Sequence, residues 1–173
     1  MDEPAAASTL VTLLNSRSFG EQPDQLGSPD LAAPCFEQLG VTDGDINSRR
    51  LAALRGVRDS LCAIVDEDTD DKSRTAAWDD VTGRFASVTF RPVFRGEAGA
   101  ELAQRTGDTA LGRVALAIAD LMRAGQWSRL RLCANPDCRG AFFDTTRSRT
   151  RRWHSYELCG NRLNVAAHRA AHR

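Results

Sequence analysis

Apolar residues recur at helical spacing through most of the first 126 positions. In "STLVTLLNSR", Leu10, Leu13 and Leu14 share one face, which predicts a first helix with Ser8 as its N-cap. Glycine and proline break the pattern in "FGEQPDQLGSPD", a loop. Ser28-Pro29-Asp30 reads as the next helix start, with Gly40 as its stop and Pro34 as a strain on its middle. "INSRRLAALRGVRDSLCAIV" carries Leu51, Leu54, Val57, Leu61, Ile64 and Val65 in one stripe. "DEDTDD" lacks the glycine and distal glutamate of a calcium loop and reads as a solvated acidic turn. Ser73 is the expected cap of a further helix bearing Trp78 and Val81.

The period then changes. "SVTFRPVF" is β-rich, and Pro92 demotes it to an edge strand. "AELAQR" returns after the turn "GEAG" as its partner. "TALGRVALAIADLMRAG" is the clearest helix, with Leu111, Val114, Ala115, Ile118, Leu121 and Met122 as its stripe and Gly125 as its end. The expectation is a mainly α fold: residues 1–126 form a helical domain with one β-hairpin, and residues 127–173 form a small separate module.

A chain of 173 residues with 42% hydrophobic content has room for one ordinary core and a small appendage. No run approaches a membrane span, and "MDEPAAASTL" opens with acids rather than a secretory signal. Five cysteines is an odd count, which argues against a disulfide framework and for reduced thiols in a cytoplasmic protein. Cys35 and Cys62 sit among apolar neighbours and read as small buried hydrophobes.

The net charge of zero conceals an asymmetry. Residues 1–128 hold 13 Lys and Arg against 20 Asp and Glu, a net of −7. Residues 129–173 hold 10 against 3, a net of +7. A basic terminal module suits a polyanion such as nucleic acid.

That module contains three of the cysteines. Cys133, Cys138, His154 and Cys159 follow the pattern C-x4-C-x15-H-x4-C, and "ANPD" between the first two is turn chemistry. Zinc accepts thiolate and imidazole in a tetrahedral set, and its structural sites use four protein ligands. The apolar stock here (Leu130, Leu132, Phe142, Phe143, Trp153, Leu158, Val165) is too small for a self-sufficient core, so a metal would hold the module together. His168 and His172 compete for the fourth position. Yet 29 residues separate Cys138 from His168, well beyond the roughly 12–15 of two-Cys two-His fingers, and that choice strands Cys159.

"RLRLCANPDCRGAFFDTTRSRTRRWHSYELCGNR" resembles the CGNR zinc-finger family, named for the tetrapeptide at Cys159-Gly160-Asn161-Arg162. The ligand pairs, Phe-Asp-Thr-Thr at 143–146 and Arg-Arg-Trp before the third ligand all match. The family's finger usually follows an ABATE domain, found in bacterial stress-induced transcription regulators, and "LVTLLNSR" is similar to that domain's opening. The resemblance implies a zinc-bound hairpin-helix module of treble-clef type, DNA as partner, and a small-molecule or stress signal sensed by the N-terminal domain. There are two departures. His154 stands where the family normally has cysteine, and "LNVAAHRAAHR" carries fewer basic residues than the usual tail.

A zinc with four protein ligands has no open position for substrate, and no catalytic constellation is visible elsewhere, so an enzyme is not expected. The zinc would instead present Arg147, Arg149, Arg151, Arg152, Arg162 and Arg169 to phosphates or guanine edges, with Thr145, Thr146, Ser148 and Asn164 beside them. Asn161 and Trp153 read better as support around the metal than as base readers. Asp144 is expected to cap a turn or pair with an arginine. The rival functions are a protein-interaction module docked on the acidic body, and RNA binding. One small finger covers few base pairs, which favours a homodimer.

Overall fold

A computed structural model describes residues 2–18 and 22–161. Among these the chain forms α1 (Ala5–Asn15), α2 (Pro29–Gln38), α3 (Ser48–Val65), α4 (Asp71–Arg84), β1 (Thr89–Phe94), β2 (Ala100–Thr106), α5 (Thr109–Arg123), β3 (Leu130–Leu132) and β4 (Ala141–Phe143). About half of the described residues are helical, and the strands pair as two separate antiparallel hairpins. No described helix is long and apolar enough to cross a membrane.

Side-chain caps set most helix starts. Ser28 accepts from the Leu31 N–H at 3.4 Å, Asn47 from Arg49 and Arg50 at 3.1 Å, and Asp108 from Leu111 at 3.0 Å. Two expected caps move. Pro4 precedes α1 and its carbonyl accepts from Ala7 and Ser8, so Ser8 lies inside the helix and its hydroxyl donates to Glu3. Asp70 caps α4, accepting both the N–H and the hydroxyl of Ser73 at 3.0 and 2.7 Å; a carboxylate three residues upstream outcompetes the serine. Helix α2 runs through Pro34.

Leu10, Leu13 and Leu14 of α1 are fully buried with Leu54, Val57 and Leu61 of α3 and Val114 and Leu121 of α5. Met122 departs from the expected stripe and is 44% exposed, because one helical step past Leu121 rotates it off the core face. The glycine-rich loop hides an anchor: Leu26 is fully buried in a 3-10 turn over Gln25–Gly27. Asp24 caps that turn and receives a fork from the buried Arg58 at 2.7 and 2.8 Å. That hydrogen-bonded guanidinium holds the Asp24 carboxyl below the usual carboxylate range.

Hairpin β1–β2 stands at the surface, with Phe94 and Leu102 exposed. Hairpin β3–β4 differs. Leu130 pairs with Phe143 and Leu132 with Ala141, and Leu130, Ala141 and Phe143 belong to the same apolar core as the helices. Asn15 at the end of α1 locks the hairpin on, donating to the Ala141 carbonyl at 3.0 Å and accepting its N–H at 2.7 Å. The core therefore runs across the boundary at 126/127 read from the sequence. The acidic turn after α3 is not merely solvated either. Asp66 bonds Arg139, Glu67 bonds Arg131, and Asp68 lies 3.8 Å from Arg139.

Candidate metal centre

Beyond β3 the chain makes a tight knuckle. The buried Asn135 accepts from the Asp137 N–H through its side chain, and its carbonyl accepts from Cys138 and Arg139. The Cys133 N–H donates to the Gly140 carbonyl at 2.8 Å, closing the loop before β4 begins. Arg139 adopts φ 54° to make the turn, a left-handed geometry uncommon for a side-chain-bearing residue, and its guanidinium is held by Asp66. The knuckle thus projects Cys133 and Cys138 from a hairpin rooted in the core.

The second pair arrives by a different route. Asp144, fully buried after β4, accepts from the Thr146 N–H at 2.9 Å, the Thr146 hydroxyl at 2.5 Å and the Arg151 N–H at 3.0 Å. The buried Arg129 donates to the carbonyls of Asp144 and Thr146. These bonds fold residues 144–151 back so that Ala134 N–H meets the Arg152 carbonyl at 2.8 Å, beside the knuckle. Arg151 then donates to the carbonyls of Trp153 and His154 while its guanidinium lies 5.0 Å from the centroid of Phe142. Ser155 caps a π turn over Tyr156–Gly160, accepting from Leu158, and the turn delivers Cys159.

The outcome is one cluster. The ligand atoms of Cys133, Cys138, His154 and Cys159 all lie within 4.8 Å of one another. His154 Nδ1 is 3.2 Å from Cys138 Sγ and 3.7 Å from Cys159 Sγ. Tetrahedral zinc with bonds of about 2.3 Å to sulfur and 2.0–2.1 Å to nitrogen demands sulfur–nitrogen separations of about 3.6 Å. The donor types and their convergence fit this ion, with the pairs adjusting to the roughly 3.6–3.8 Å that such bonds set.

Without an ion, the crowded thiols resist ionisation, a cost that the cation offsets. Burial, aided by the neighbouring Cys159 and Cys133, pushes the Cys138 thiol up to about 12 against one hydrogen bond from the Gly140 N–H at 3.4 Å. Burial, with the Arg151 charge beside it, holds the His154 imidazole below its ordinary value, so it is neutral near pH 7 and its lone pair is available. Sulfurs packed this closely become thiolates when a cation shares them. Residues 129–172 match the CGNR zinc finger. These four residues hold a structural zinc. With every position filled by protein, the ion's work here is mechanical. No curated protein matches the chain.

The CGNR motif gains a partial physical reading. Cys159 is a ligand, and a β-carbon at Gly160 would lie 2.8 Å from Tyr156 Cδ2 and 3.2 Å from Trp153 Cε3. Glycine therefore lets the aromatic pair Trp153–Tyr156, centroids 5.9 Å apart, close over the turn. Asn161 is exposed, and its side chain bonds no described residue; its N–H donates to the Tyr156 carbonyl. Arg162, Asn164, Val165, His168, Arg169 and His172 lie outside the described residues.

The finger's arginines divide into two groups. Arg129, Arg131, Arg139 and Arg151 are used within the fold. Arg147, Arg149 and Arg152 are exposed. Arg147 and Arg149 send their guanidinia to no described partner, and Arg152 stacks 5.6 Å over Trp153. Trp153 is half-buried beside the metal ligand. Asp144 caps the loop, and Cys35 is buried while Cys62 is half-buried with Arg17 against it at 4.0 Å. The supporting roles of Asn135, Gly140 and Arg129 were not read from the sequence. Asn135-Pro136-Asp137 did signal a turn. Nothing local marks Arg129, whose partners lie 15 and 17 residues away.

Proposed function

We propose that the CGNR finger binds nucleic acid, duplex DNA first, through the loop carrying Arg147, Arg149 and Arg152, and that the chain is a transcription regulator of the ABATE type. The observation that carries this reading is the division of the arginines. Four are neutralised or hydrogen-bonded inside the protein, and three on one exposed loop face solvent with the hydroxyls of Ser148 and Thr150 among them. The loop is pre-shaped: Asp144 and Arg129 hold its base, and Arg149 sits at φ 55° with its carbonyl accepting from Arg131. Phosphate binding by a pre-shaped loop loses less side-chain and backbone freedom than binding by a mobile one. Zinc supplies no chemistry in this reading; it keeps the base of the loop closed. The knuckle and hairpin, with Cys159 delivered by the helical turn at Tyr156–Gly160, suit a treble-clef-like module.

The test is fluorescence anisotropy of zinc-loaded full chain with labelled duplex DNA over a salt series. Three neutralised phosphates give a log–log slope of about −2.7, at roughly −0.9 per contact. Arg147→Gln with Arg149→Gln flattens that slope by about two contacts. A slope near zero, or one unmoved by the substitutions, refutes the reading. Tighter binding to structured RNA than to duplex DNA reassigns the polyanion.

A specific observation favours a second reading, a zinc-stabilised interaction module. The hairpin shares the helical core, and Arg131 and Arg139 grip the acidic turn, so part of the finger's charge is spent intramolecularly.

A further inference from the structure

Helix α4 packs against α3, and its last residue reaches the middle of that helix. Arg84 crosses α3 at Gly56, where a β-carbon would lie 2.0 Å from Nη1 and 2.2 Å from Cζ. Glycine inside a long helix is unfavourable relative to alanine, and here it makes a seat for a guanidinium. The Arg84 Nε donates to Asp80 at 2.6 Å, and Asp80 is itself held by the Ser60 hydroxyl at 2.6 Å. Arg84 is therefore oriented from its Nε side, while Nη1 and Nη2 bond no described residue.

The same arginine lines a cavity of about 530 Å³, together with Arg49, Arg50, Ala53, Asp108 and Leu111. That volume lies in the range of small-molecule sites, roughly 300–1,000 Å³. Three arginines line the cavity with one carboxylate, Asp108, while Asp80 holds Arg84 from outside the lining. Arg50 is fully employed: Nε bonds Asp108 at 2.5 Å, Nη1 the Asp43 carbonyl at 3.0 Å, and Nη2 the Thr109 hydroxyl at 3.1 Å. This satisfies Asp108 and leaves the exposed Arg49 guanidinium, which bonds no described residue, and the Nη edge of Arg84 uncommitted. Ala53 and Leu111 contribute apolar wall.

We propose that this cavity is a binding site for a small organic carboxylate. The carboxylate takes the planar fork of Arg84 with support from Arg49, and an apolar body of about one ring lies against Ala53 and Leu111. Guanidinium matches carboxylate geometry in two parallel hydrogen bonds, so charge and shape select together. The proposal does not depend on nucleic-acid binding by the finger.

The test is amide NMR of zinc-loaded full chain titrated with benzoate, with its neutral isostere benzamide, and with inorganic phosphate. Benzoate is expected to shift Ala53, Arg84 and Leu111 and to bind at least tenfold tighter than either control. Arg84→Gln weakens benzoate by roughly ten- to a hundredfold, the scale of lost charge-assisted bonds. Gly56→Ala supplies the independent arm: its β-carbon evicts the guanidinium while the helix keeps or gains stability, and benzoate binding falls as in Arg84→Gln. Benzoate that shifts none of these amides up to tens of millimolar overturns the proposal. Equal affinity for benzamide or phosphate does so too, as does unchanged binding in a folded Gly56→Ala protein.

Discussion

Asp144→Asn is the sharpest single perturbation of the finger, because it preserves size and removes only charge and one acceptor. The wild-type carboxylate is fully buried, with Oδ1 receiving two bonds from Thr146 and Oδ2 receiving the Arg151 N–H at 3.0 Å and facing Arg131 at 4.0 Å. Asparagine can keep the Thr146 bonds through its carbonyl. Its NH2 must then point at the Arg151 N–H and the Arg131 guanidinium, donors against a donor. The loss combines one charge-assisted bond, about 1.5–3 kcal/mol, with a buried unpaired NH2, about 1–3 kcal/mol. Because the two are not independent, we expect about 3 kcal/mol in total, or roughly 6–12 °C in Tm for a chain of this size. Urea denaturation of zinc-loaded protein, followed by tryptophan fluorescence, measures it.

The pH dependence has a defined sign. Burial opposes the Asp144 charge, but the bonds from Thr146 and Arg151 and the Arg131 charge prevail and hold its carboxyl below the ordinary value. Its contribution is therefore complete above about pH 4 and is lost as pH falls through the lower folded value. The wild-type advantage over Asp144→Asn shrinks in the same window. Polyanion binding gives a second readout: charge alone would strengthen it, whereas a misplaced arginine loop weakens it. A stability loss below about 0.5 kcal/mol, or a gap unchanged in acid, refutes the reasoning.

Three further outcomes are expected. His154→Ala loses the zinc and the hydrogen-exchange protection of residues 152–160, whereas His154→Cys, which supplies a fourth thiolate in place of the imidazole, retains about one zinc per chain by metal analysis; retention in both variants would remove His154 from the site. Phe143→Ala costs about 3–5 kcal/mol and lowers the helical unfolding midpoint seen by circular dichroism, since Phe143 is 2% exposed within the helices' own core. An unmoved midpoint would mean that the hairpin unfolds independently. Asp24→Asn removes the forked carboxylate of the buried Arg58, leaving it Asp59 at 3.0 Å on its Nε, and costs about 2 kcal/mol in chemical denaturation, with the gap to wild type narrowing as acid protonates Asp24; a gap that stays constant between pH 7 and 3 would contradict the ion pair.

Much of this protein was legible in one dimension. Helical periodicity is local, so α3 and α5 were visible from Leu51 to Val65 and from Leu111 to Leu121, and two equal gaps around Cys133, Cys138, His154 and Cys159 announced a metal without coordinates. What resisted were competitions between groups remote in sequence. Asp70 rather than Ser73 caps α4, and Leu26 is an anchor because Arg58 reaches Asp24 across 34 residues. The arginine cluster read as uniform, yet the fold spends Arg151 on the carbonyls of Trp153 and His154 and leaves Arg147 and Arg149 outside.

Residue order thus determined which side chains could ligate zinc, because ligand type and turn spacing are properties of short segments. Only the tertiary structure decided that the finger shares its core with the helices, which arginines remain free, and that Arg84 lies over Gly56. Each of these depends on which surfaces meet, and surfaces meet where burial of apolar area and pairing of charge are satisfied together across long separations in the chain.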